Sequence, residues 1–362
     1  MKRVAEILAR GIAERLHLGA QLYVSKRGEV ICNEAFGEAQ PGTDMGTDSI
    51  VQWYSSGKPL TAIAIAQLHE KGIVEIHEKV SRYIPEFATA GKELVTVWHL
   101  LTHTAGIRLA DKIAPDLSWQ ETIAQICETS LEPDWVPGQK AGYSTNAAWF
   151  ILAEIIQRTS GLDFNNYMRA QIFEPLEIDN SWLLLPFSEY KKYGNRISVT
   201  YDTEKGKLEP VLLQDEAGMA ICRPGSSARG PIKELGRFYE MLLAGGRTTG
   251  KQLLREETIQ LFTSRLRTGL FDYTFLAKFD WGLGFILNST DYDPDKIPYG
   301  YGRHASADAF GHSGAQSSCA FADPKHNLVV AWVCNGMPGE RPHQERQREI
   351  NVAIYEELRL VS

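Results

Sequence analysis

A serine and a lysine lie three positions apart at the start of an apolar segment, "VQWYSSGKPLTAIAIAQL" (residues 51–68). Residues i and i+3 share one face of a helix, whereas residues i and i+2 do not. If a helix begins near Ser55, the hydroxyl of Ser55 meets the amine of Lys58, and the hydroxyl of Ser56 does not. A lysine shielded from water loses its proton near neutral pH and becomes a base. The spacing therefore predicts Ser55 as a nucleophile and Lys58 as its base.

Two readings of this pair stay open at the level of the pattern. A serine at a helix N-terminus lies among backbone N–H groups without intrahelical partners, and these favour a developing oxyanion. Alternatively, Ser55 only caps the helix and Lys58 is a solvated residue of its first turn. Because S-x-x-K is a short pattern, other segments of the chain must decide between the two.

Three further segments carry chemically capable residues in a characteristic order: "VWHLLTHTAGI" (97–107), "YSTNAAWFILAEII" (143–156) and "FGHSGAQSSCAFADP" (310–324). Together with "SSGKPLTA" and "DWGLGF" (280–285), they resemble the serine β-lactamase-like hydrolases over about residues 20–335. That family includes class C β-lactamases, D-alanyl-D-alanine carboxypeptidases, esterases of the same fold and some acyltransferases. The resemblance implies that Ser55 accepts an acyl group and that Lys58 is its partner base.

The second family motif is Tyr-x-Asn or Ser-x-Asn. The corresponding segment of this chain is "YSTN" (143–146), in which either Tyr143 or Ser144 could be the first residue of the motif. Counting back from Asn146, which begins the following helix, makes Asn146 the family asparagine and puts Ser144 in the first position. With one extra loop residue, Tyr143 reaches the site instead. A phenol with a lowered pKa is the better proton shuttle, and either hydroxyl could relay a proton. We favour Tyr143 and keep Ser144 as the alternative.

The third family motif, usually Lys-Thr-Gly, reads His312-Ser313-Gly314. The resemblance places this segment on the strand along the cleft, where the backbone N–H of Ala315 pairs with that of Ser55 as an oxyanion hole. A histidine has an unperturbed pKa near 6.5 and supplies no permanent charge at pH 7. Weaker recognition of a substrate carboxylate follows, which favours an esterase, amidase or acyltransferase over a β-lactamase.

Two other patterns are set aside. "GHSGA" resembles the nucleophile elbow of α/β-hydrolases, but that elbow requires a helix directly afterwards, and "QSSCAFADP" is typical of a strand. His99 and His103 have the i, i+4 spacing of metal ligands, but no glutamate lies between them in H-E-x-x-H style. We therefore predict no metal and no cofactor.

The order of predicted elements explains how these segments meet. Strands are predicted near both ends of the chain and helices between them, with a further helix at each terminus. This predicts an α/β fold of the α+β type, in which an antiparallel sheet is flanked by the N- and C-terminal helices. We expect a single catalytic unit over 1–362, with an α/β sub-domain from about 1–54 and 220–362 and an inserted all-helical sub-domain over about 55–185.

Composition limits the class of partner. The 362 residues are 43% hydrophobic and 23% charged with a net charge of −7, which is ordinary for a soluble globular protein and disfavours nucleic acid or anionic membranes as partners. The N-terminus lacks the apolar stretch of a signal peptide and no apolar run is long enough to span a membrane, so we predict a cytoplasmic protein. The five cysteines are an odd number, lie far apart and include no Cys-x-x-Cys pair, which indicates a reducing compartment. They are Cys32, Cys127, Cys222, Cys319 and Cys334.

The sequence thus predicts a serine hydrolase that forms a covalent acyl-serine intermediate on a small ester or amide. The alternatives are a β-lactamase or D-Ala-D-Ala peptidase, and a catalytically idle binding protein of the same fold, which the irregular second motif favours. The turn-rich segment 288–310 is predicted to shape the substrate pocket.

Overall fold

The protein is described by a computed structural model that covers residues 1–293 and 297–361. The helices in these ranges are α1 (Lys2–Ala13), α2 (Lys58–Glu70), α3 (Val97–Leu101), α4 (Trp119–Glu128), α5 (Ala147–Ser160), α6 (Phe164–Met168), α7 (Phe187–Tyr193), α8 (Glu216–Met219), α9 (Ile232–Leu243), α10 (Glu256–Thr263) and α11 (Glu340–Glu357). The strands are β1 (Gly19–Lys26), β2 (Glu29–Gln40), β3 (Thr43–Asp44), β4 (Val51–Gln52), β5 (Tyr201–Asp202), β6 (Glu209–Pro210), β7 (Arg229–Gly230), β8 (Arg247–Thr248), β9 (Lys251–Gln252), β10 (Phe271–Asp272), β11 (Ala277–Lys278), β12 (Asp280–Trp281), β13 (Ile286–Leu287), β14 (Phe310–Gly314), β15 (Ser318–Asp323), β16 (Leu328–Cys334) and β17 (Gly336–Met337).

The central sheet joins the two ends of the chain. Within the described ranges it has eight strands in the order β12-β13-β14-β15-β16-β1-β2-β3, and every neighbouring pair is antiparallel. Strand β1 pairs with β16 from Ala20 opposite Cys334 to Lys26 opposite Leu328. The predicted antiparallel sheet with flanking helices is confirmed.

Helices cover both faces of the central strands, and side chains alternate between two apolar layers as period-two geometry requires. In β1, Leu22 and Val24 pack with α1 and α11, whereas Tyr23 belongs to the layer under α9. The second layer continues without a break from the sheet into α2 and α5. The division into two sub-domains stays a prediction.

Helix α2 lies inside the molecule. Every residue from Lys58 to Leu68 is buried, as expected for a helix that is apolar on all sides. Its N-terminus therefore opens into the protein interior rather than into solvent. None of the helices in the described part of the chain is long and apolar enough to cross a membrane.

The family-like segment "DWGLGF" leads from β12 to β13 through a turn, where Gly284 has φ +83°. The helix that the sequence placed near Ser55 was wrong in detail, because no α-helix begins at Ser55. A 3₁₀ turn spans Tyr54–Gly57, and α2 begins only at Lys58.

Candidate active site

The candidate nucleophile lies in the 3₁₀ turn that precedes α2. Tyr54 has φ +50°, so the residue before Ser55 is in the left-handed region, an uncommon conformation for a residue with a side chain that is enriched at functional sites. Ser56 faces away from the site. Its Oγ lies 3.1 Å from the carbonyl oxygen of His312 and 2.9 Å from Ser318 Oγ, and so it fastens the turn to β14 and β15.

Lys58 meets Ser55 across the turn at a Nζ–Oγ distance of 2.9 Å. Its amine also donates to the carbonyl oxygens of Thr145 at 2.9 Å and Gly225 at 2.6 Å. A neutral amine has two N–H bonds, and these two carbonyls accept both of them, so its lone pair is left facing Ser55 Oγ. Burial lowers the pKa of Lys58 to about 7. The arrangement supports a base that is substantially neutral near pH 7.

Tyr143 approaches Ser55 from the loop before α5. Its hydroxyl donates to Ser55 Oγ at 2.9 Å, and Lys58 Nζ lies 5.4 Å from the centroid of its ring. Burial raises the pKa of Tyr143, with the hydrogen bond to Ser55 opposing the rise. The phenol is therefore protonated at neutral pH, in contrast to the lowered pKa that a proton shuttle would gain from.

His103 positions the tyrosine from both sides. Its carbonyl oxygen accepts from the N–H of Gly142 at 2.9 Å, and its Nδ1 accepts from the N–H of Ser144 at 3.0 Å. The imidazole ring also packs against Tyr143, with 4.6 Å between the ring centroids. Burial and the nearby Arg267 guanidinium hold the pKa of His103 well below its usual value, so the ring is neutral and can accept through Nδ1.

Ser144 and Asn146 are not brought to the nucleophile. Ser144 Oγ donates to Asp111 Oδ1 at 2.8 Å. The Asn146 amide donates to the Asp111 carbonyl at 3.3 Å and to Thr145 Oγ1 at 3.2 Å. Thr145 lines the cavity beside Ser55 in place of Asn146. Of the two hydroxyls that the sequence left open, Tyr143 is the one beside Ser55.

Asp111 organises this loop and was not found by sequence reasoning. Its carboxylate accepts from the backbone N–H groups of Thr145 at 2.9 Å, Asn146 at 2.9 Å and Ala147 at 2.7 Å, at the N-terminus of α5. A carboxylate is favourable there because the helix presents unpaired N–H groups and a positive dipole end. The sequence holds no signal for it, because Asp111 lies 36 residues before Ala147 and belongs to no motif.

We expect Asp111→Asn to lower kcat/KM for ester substrates about 10-fold, because an amide cannot accept all four hydrogen bonds and Tyr143 loses its support. The Asp111 carboxylate also raises the pKa of Lys58 against the effect of burial. Its loss therefore lowers that pKa, and the acid side of the pH–kcat/KM profile moves to lower pH. Kinetics at a series of pH values measure both effects.

The matched control is Asp163→Asn, since Asp163 caps α6 by accepting from the N–H of Asn166 at 3.0 Å. Because asparagine and aspartate cap a helix about equally well, Asp163→Asn is expected to leave the free energy of unfolding and the pH profile close to those of the wild type. An equal shift of the pH profile in both variants would contradict the role given to Asp111.

The third motif borders the same site. Strand β14 (Phe310–Gly314) runs past the nucleophile turn, and a Cβ at Gly314 would lie 2.3 Å from the carbonyl oxygen of Trp53. Glycine is therefore required for the strand to approach the turn this closely. Ser313 is buried, and its Oγ accepts from Gln347 Nε2 at 3.1 Å. Ala315 follows the strand and lines the cavity.

His312 is a neutral residue of the cavity wall. Its Nδ1 lies 2.8 Å from the carbonyl oxygen of Ser313. Burial, helped by the nearby Lys58 amine, lowers the pKa of His312 to about 3. A substrate carboxylate thus finds no positive charge on this side chain at neutral pH.

The cavity over Ser55 has a volume of about 600 Å³. Several of its lining residues come from segments without a recognised motif, including the first turns of α11: Thr274, Phe275, Ile286, Pro298, Tyr299, Glu340, Arg341 and Gln344. Pro298 and Tyr299 belong to the segment 288–310 that was predicted to shape the pocket, of which residues 294–296 lie outside the described part. A larger cavity of about 950 Å³ lies away from Ser55, between α1, β2 and residues 206–208.

Both the sequence and the structure of this chain resemble those of known proteins. A family model described as Beta-lactamase matches residues 4–354. Esterase EstB from Burkholderia gladioli is 26% identical over 378 residues, covering 93% of this chain and 92% of that protein. A solved structure of a penicillin-binding protein homologue from Caulobacter crescentus superposes with a TM-score of 0.81 at 28% identity, covering 97% of this chain and 96% of the other.

A further relative shares only a part of its length. Penicillin-binding protein 4* from Bacillus subtilis is 27% identical over 209 residues, which cover 53% of this chain and 42% of that protein. The resemblance inferred from the motifs is confirmed by the family match, which extends over nearly the whole chain. The chain belongs to the Beta-lactamase family of serine hydrolases, whose members include esterases, acyltransferases and penicillin-binding proteins.

Proposed function

We propose that this protein is a serine hydrolase that forms an acyl-enzyme at Ser55 on small ester or amide substrates, with esterase, amidase or acyltransferase activity. The observation that carries the proposal is the position of Ser55 Oγ, which lies 2.9 Å from Lys58 Nζ and 2.9 Å from the Tyr143 hydroxyl. A nucleophile between a neutral base and a protonated phenol has one partner to take its proton and one to supply a proton.

Acylation follows from these contacts. Ser55 Oγ attacks the substrate carbonyl carbon while its proton passes to the Lys58 lone pair. The oxyanion of the tetrahedral intermediate is stabilised by the backbone N–H groups of Ser55 and Ala315, whose residues both line the cavity. When the bond to the leaving group breaks, Tyr143 gives its proton to that group and regains one from the Lys58 ammonium. Water, an alcohol or an amine then accepts the acyl group.

Two alternatives from the sequence remain candidates. A β-lactamase or D-Ala-D-Ala peptidase would bind a substrate carboxylate, and the neutral His312 in the cavity wall disfavours this. Hydrolysis of a chromogenic cephalosporin faster than of p-nitrophenyl butyrate would favour it. An idle binding protein would keep the fold without a reactive serine.

The first experiment is intact-protein mass spectrometry after brief incubation with an alkyl fluorophosphonate. We expect one adduct on the wild type and none on Ser55→Ala. The matched control is Ser56→Ala, because Ser56 is the neighbouring hydroxyl and faces β14 instead of the cavity, so the adduct should persist. An unmodified wild type would favour the idle protein, and an adduct on Ser55→Ala would mean that another residue is the nucleophile.

A further inference from the structure

An accessible carboxylate lies in the wall of the cavity over Ser55. Glu340 is the first residue of α11 and lines this cavity. The Tyr299 hydroxyl lies 2.9 and 2.8 Å from its two carboxylate oxygens, and Gln344 Nε2 lies 3.4 Å from Oε2. These contacts hold the carboxylate in place, and Glu340 nevertheless remains exposed. A molecule bound in the cavity can therefore reach it.

The negative charge of Glu340 is not compensated by a neighbouring cation. In the described ranges, no lysine or arginine forms an ion pair with it. Arg341 is its neighbour in the chain, but the Arg341 side chain is 90% exposed and its Nε lies 3.1 Å from Glu345 Oε1. A carboxylate accepts about four hydrogen bonds, and a phenol supplies only one hydrogen. Glu340 thus keeps both its charge and free acceptor positions.

Aromatic rings connect this carboxylate to the reaction site. The ring centroids of Tyr143 and Phe275 are 4.8 Å apart, and those of Phe275 and Tyr299 are 5.6 Å apart. All three side chains line the cavity, and we call them the aromatic wall. The face of an aromatic ring attracts a cation within about 6 Å, and groups of such rings bind quaternary ammonium ligands. An aromatic wall that ends at a carboxylate is therefore suited to a cation.

The direction of the aromatic wall indicates which half of a substrate it meets. In the proposed mechanism Tyr143 gives its proton to the leaving group. The aromatic wall begins at Tyr143 and continues through Phe275 to Tyr299, so it borders the leaving-group half. Because two further rings separate Tyr143 from Glu340, a cation at Glu340 is several bonds away from the ester oxygen.

The other titratable side chains of the cavity do not repel such a cation strongly. Burial lowers the pKa of Lys58 to about 7 and that of His312 to about 3. Both are therefore mostly neutral above pH 7, whereas Glu340 lies at an exposed position where a carboxylate stays ionised.

We propose that Glu340 and the aromatic wall bind an ammonium or quaternary ammonium group in the leaving-group half of the ester or amide substrate. This inference rests on the proposed function, since it assumes that Ser55 is acylated. It adds a substrate class, a cationic alcohol or amine as the leaving group, that the three catalytic residues do not define.

Two matched pairs of esters test the proposal. 4-(Trimethylammonio)butyl butyrate and 5,5-dimethylhexyl butyrate have the same shape and differ only by a charged nitrogen in place of a carbon. Butyrylcholine and 3,3-dimethylbutyl butyrate form the corresponding pair with a shorter spacer. We expect kcat/KM for the wild type to be about 10-fold higher for the cationic member of the longer pair, and the ratio to be smaller for the shorter pair, whose cation does not reach Glu340.

Two variants of α11 assign the preference to its site. Glu340→Gln keeps an acceptor for the Tyr299 hydroxyl but removes the charge, so the ratio for the longer pair should fall to a few-fold or less. Glu349→Gln is the matched control, because Glu349 lies on the same helix, pairs with Arg10 and does not line this cavity. It removes the same charge from the protein and should keep the wild-type ratio.

Ionic strength gives a further measurement that needs no variant. Salt screens an exposed carboxylate, so the wild-type ratio for the longer pair should fall as salt is added. A wild-type ratio near 1 for both pairs, an unchanged ratio in Glu340→Gln, or an equal fall in Glu349→Gln overturns the inference.

The proposed function is tested separately by the fluorophosphonate adduct on Ser55. With the adduct present and a ratio near 1, the serine hydrolase stands and only the substrate class fails. Without an adduct and without turnover of any of the four esters, both proposals are overturned.

Discussion

Lys58→Arg is expected to lower kcat/KM for ester substrates by about 10³-fold, within the usual range for loss of a general base. Burial holds the pKa of Lys58 to about 7, so a large part of the wild-type protein has a neutral amine at physiological pH. A guanidinium stays protonated at every accessible pH and cannot take the proton of Ser55. Single-turnover acylation by p-nitrophenyl butyrate isolates this step from deacylation.

The pH dependence supplies a second readout of the same base. Neutral Lys58 is the active form, so wild-type kcat/KM should rise with pH and reach half of its plateau near pH 7. Lys58→Arg should lose that inflection along with most of its activity. An inflection near pH 7 that survives in the variant would contradict the assignment and identify a different base.

Lys92→Arg is the matched control for this substitution. Lys92 is also a buried lysine whose pKa is lowered by burial, and its Nζ donates to the carbonyl oxygen of Cys127 at 2.8 Å. Lys92 is not among the residues that line the cavity over Ser55. Kinetics close to wild type in Lys92→Arg would show that the loss in Lys58→Arg does not come from placing a larger cation in the interior.

Tyr143→Phe is expected to have an effect that depends on the leaving group. Ethyl butyrate releases a strongly basic alkoxide that needs a proton, so kcat/KM for it should fall by about 10³-fold. p-Nitrophenolate leaves without protonation, so kcat/KM for p-nitrophenyl butyrate should fall only about 10-fold, through loss of the hydrogen bond to Ser55. The two rates measured on one preparation give the ratio directly.

Phenylalanine preserves the ring contacts of Tyr143 with His103 and Phe275, whose centroids lie 4.6 and 4.8 Å away. Tyr167→Phe is the control for removing a buried hydroxyl elsewhere, since Tyr167 donates to Gln67 Oε1 at 3.3 Å. Equal losses for the two esters in Tyr143→Phe would assign Tyr143 a positioning role and leave the proton of the leaving group to another residue.

The chain alone determined the features that depend on local order. The three-residue spacing of Ser55 and Lys58 correctly predicted that their side chains meet, although the segment forms a 3₁₀ turn and not the expected α-helix. Strand patterns at both termini predicted a sheet built from the two ends, and β1 does pair with β16. The order of the motifs along the chain was enough to indicate the family, because this order does not depend on loop conformation.

The tertiary structure alone decided what depends on distant segments. Tyr143 instead of Ser144 lies beside Ser55 because His103 and Asp111 hold the two sides of the loop, and no spacing rule relates them to "YSTN". Burial disfavours the charged forms of both Lys58 and His312. At neutral pH the ring of His312 is therefore neutral, and a large part of the Lys58 amine is neutral as well. Burial is a property of the packed molecule, so the protonation states of these side chains could be inferred only from the tertiary structure.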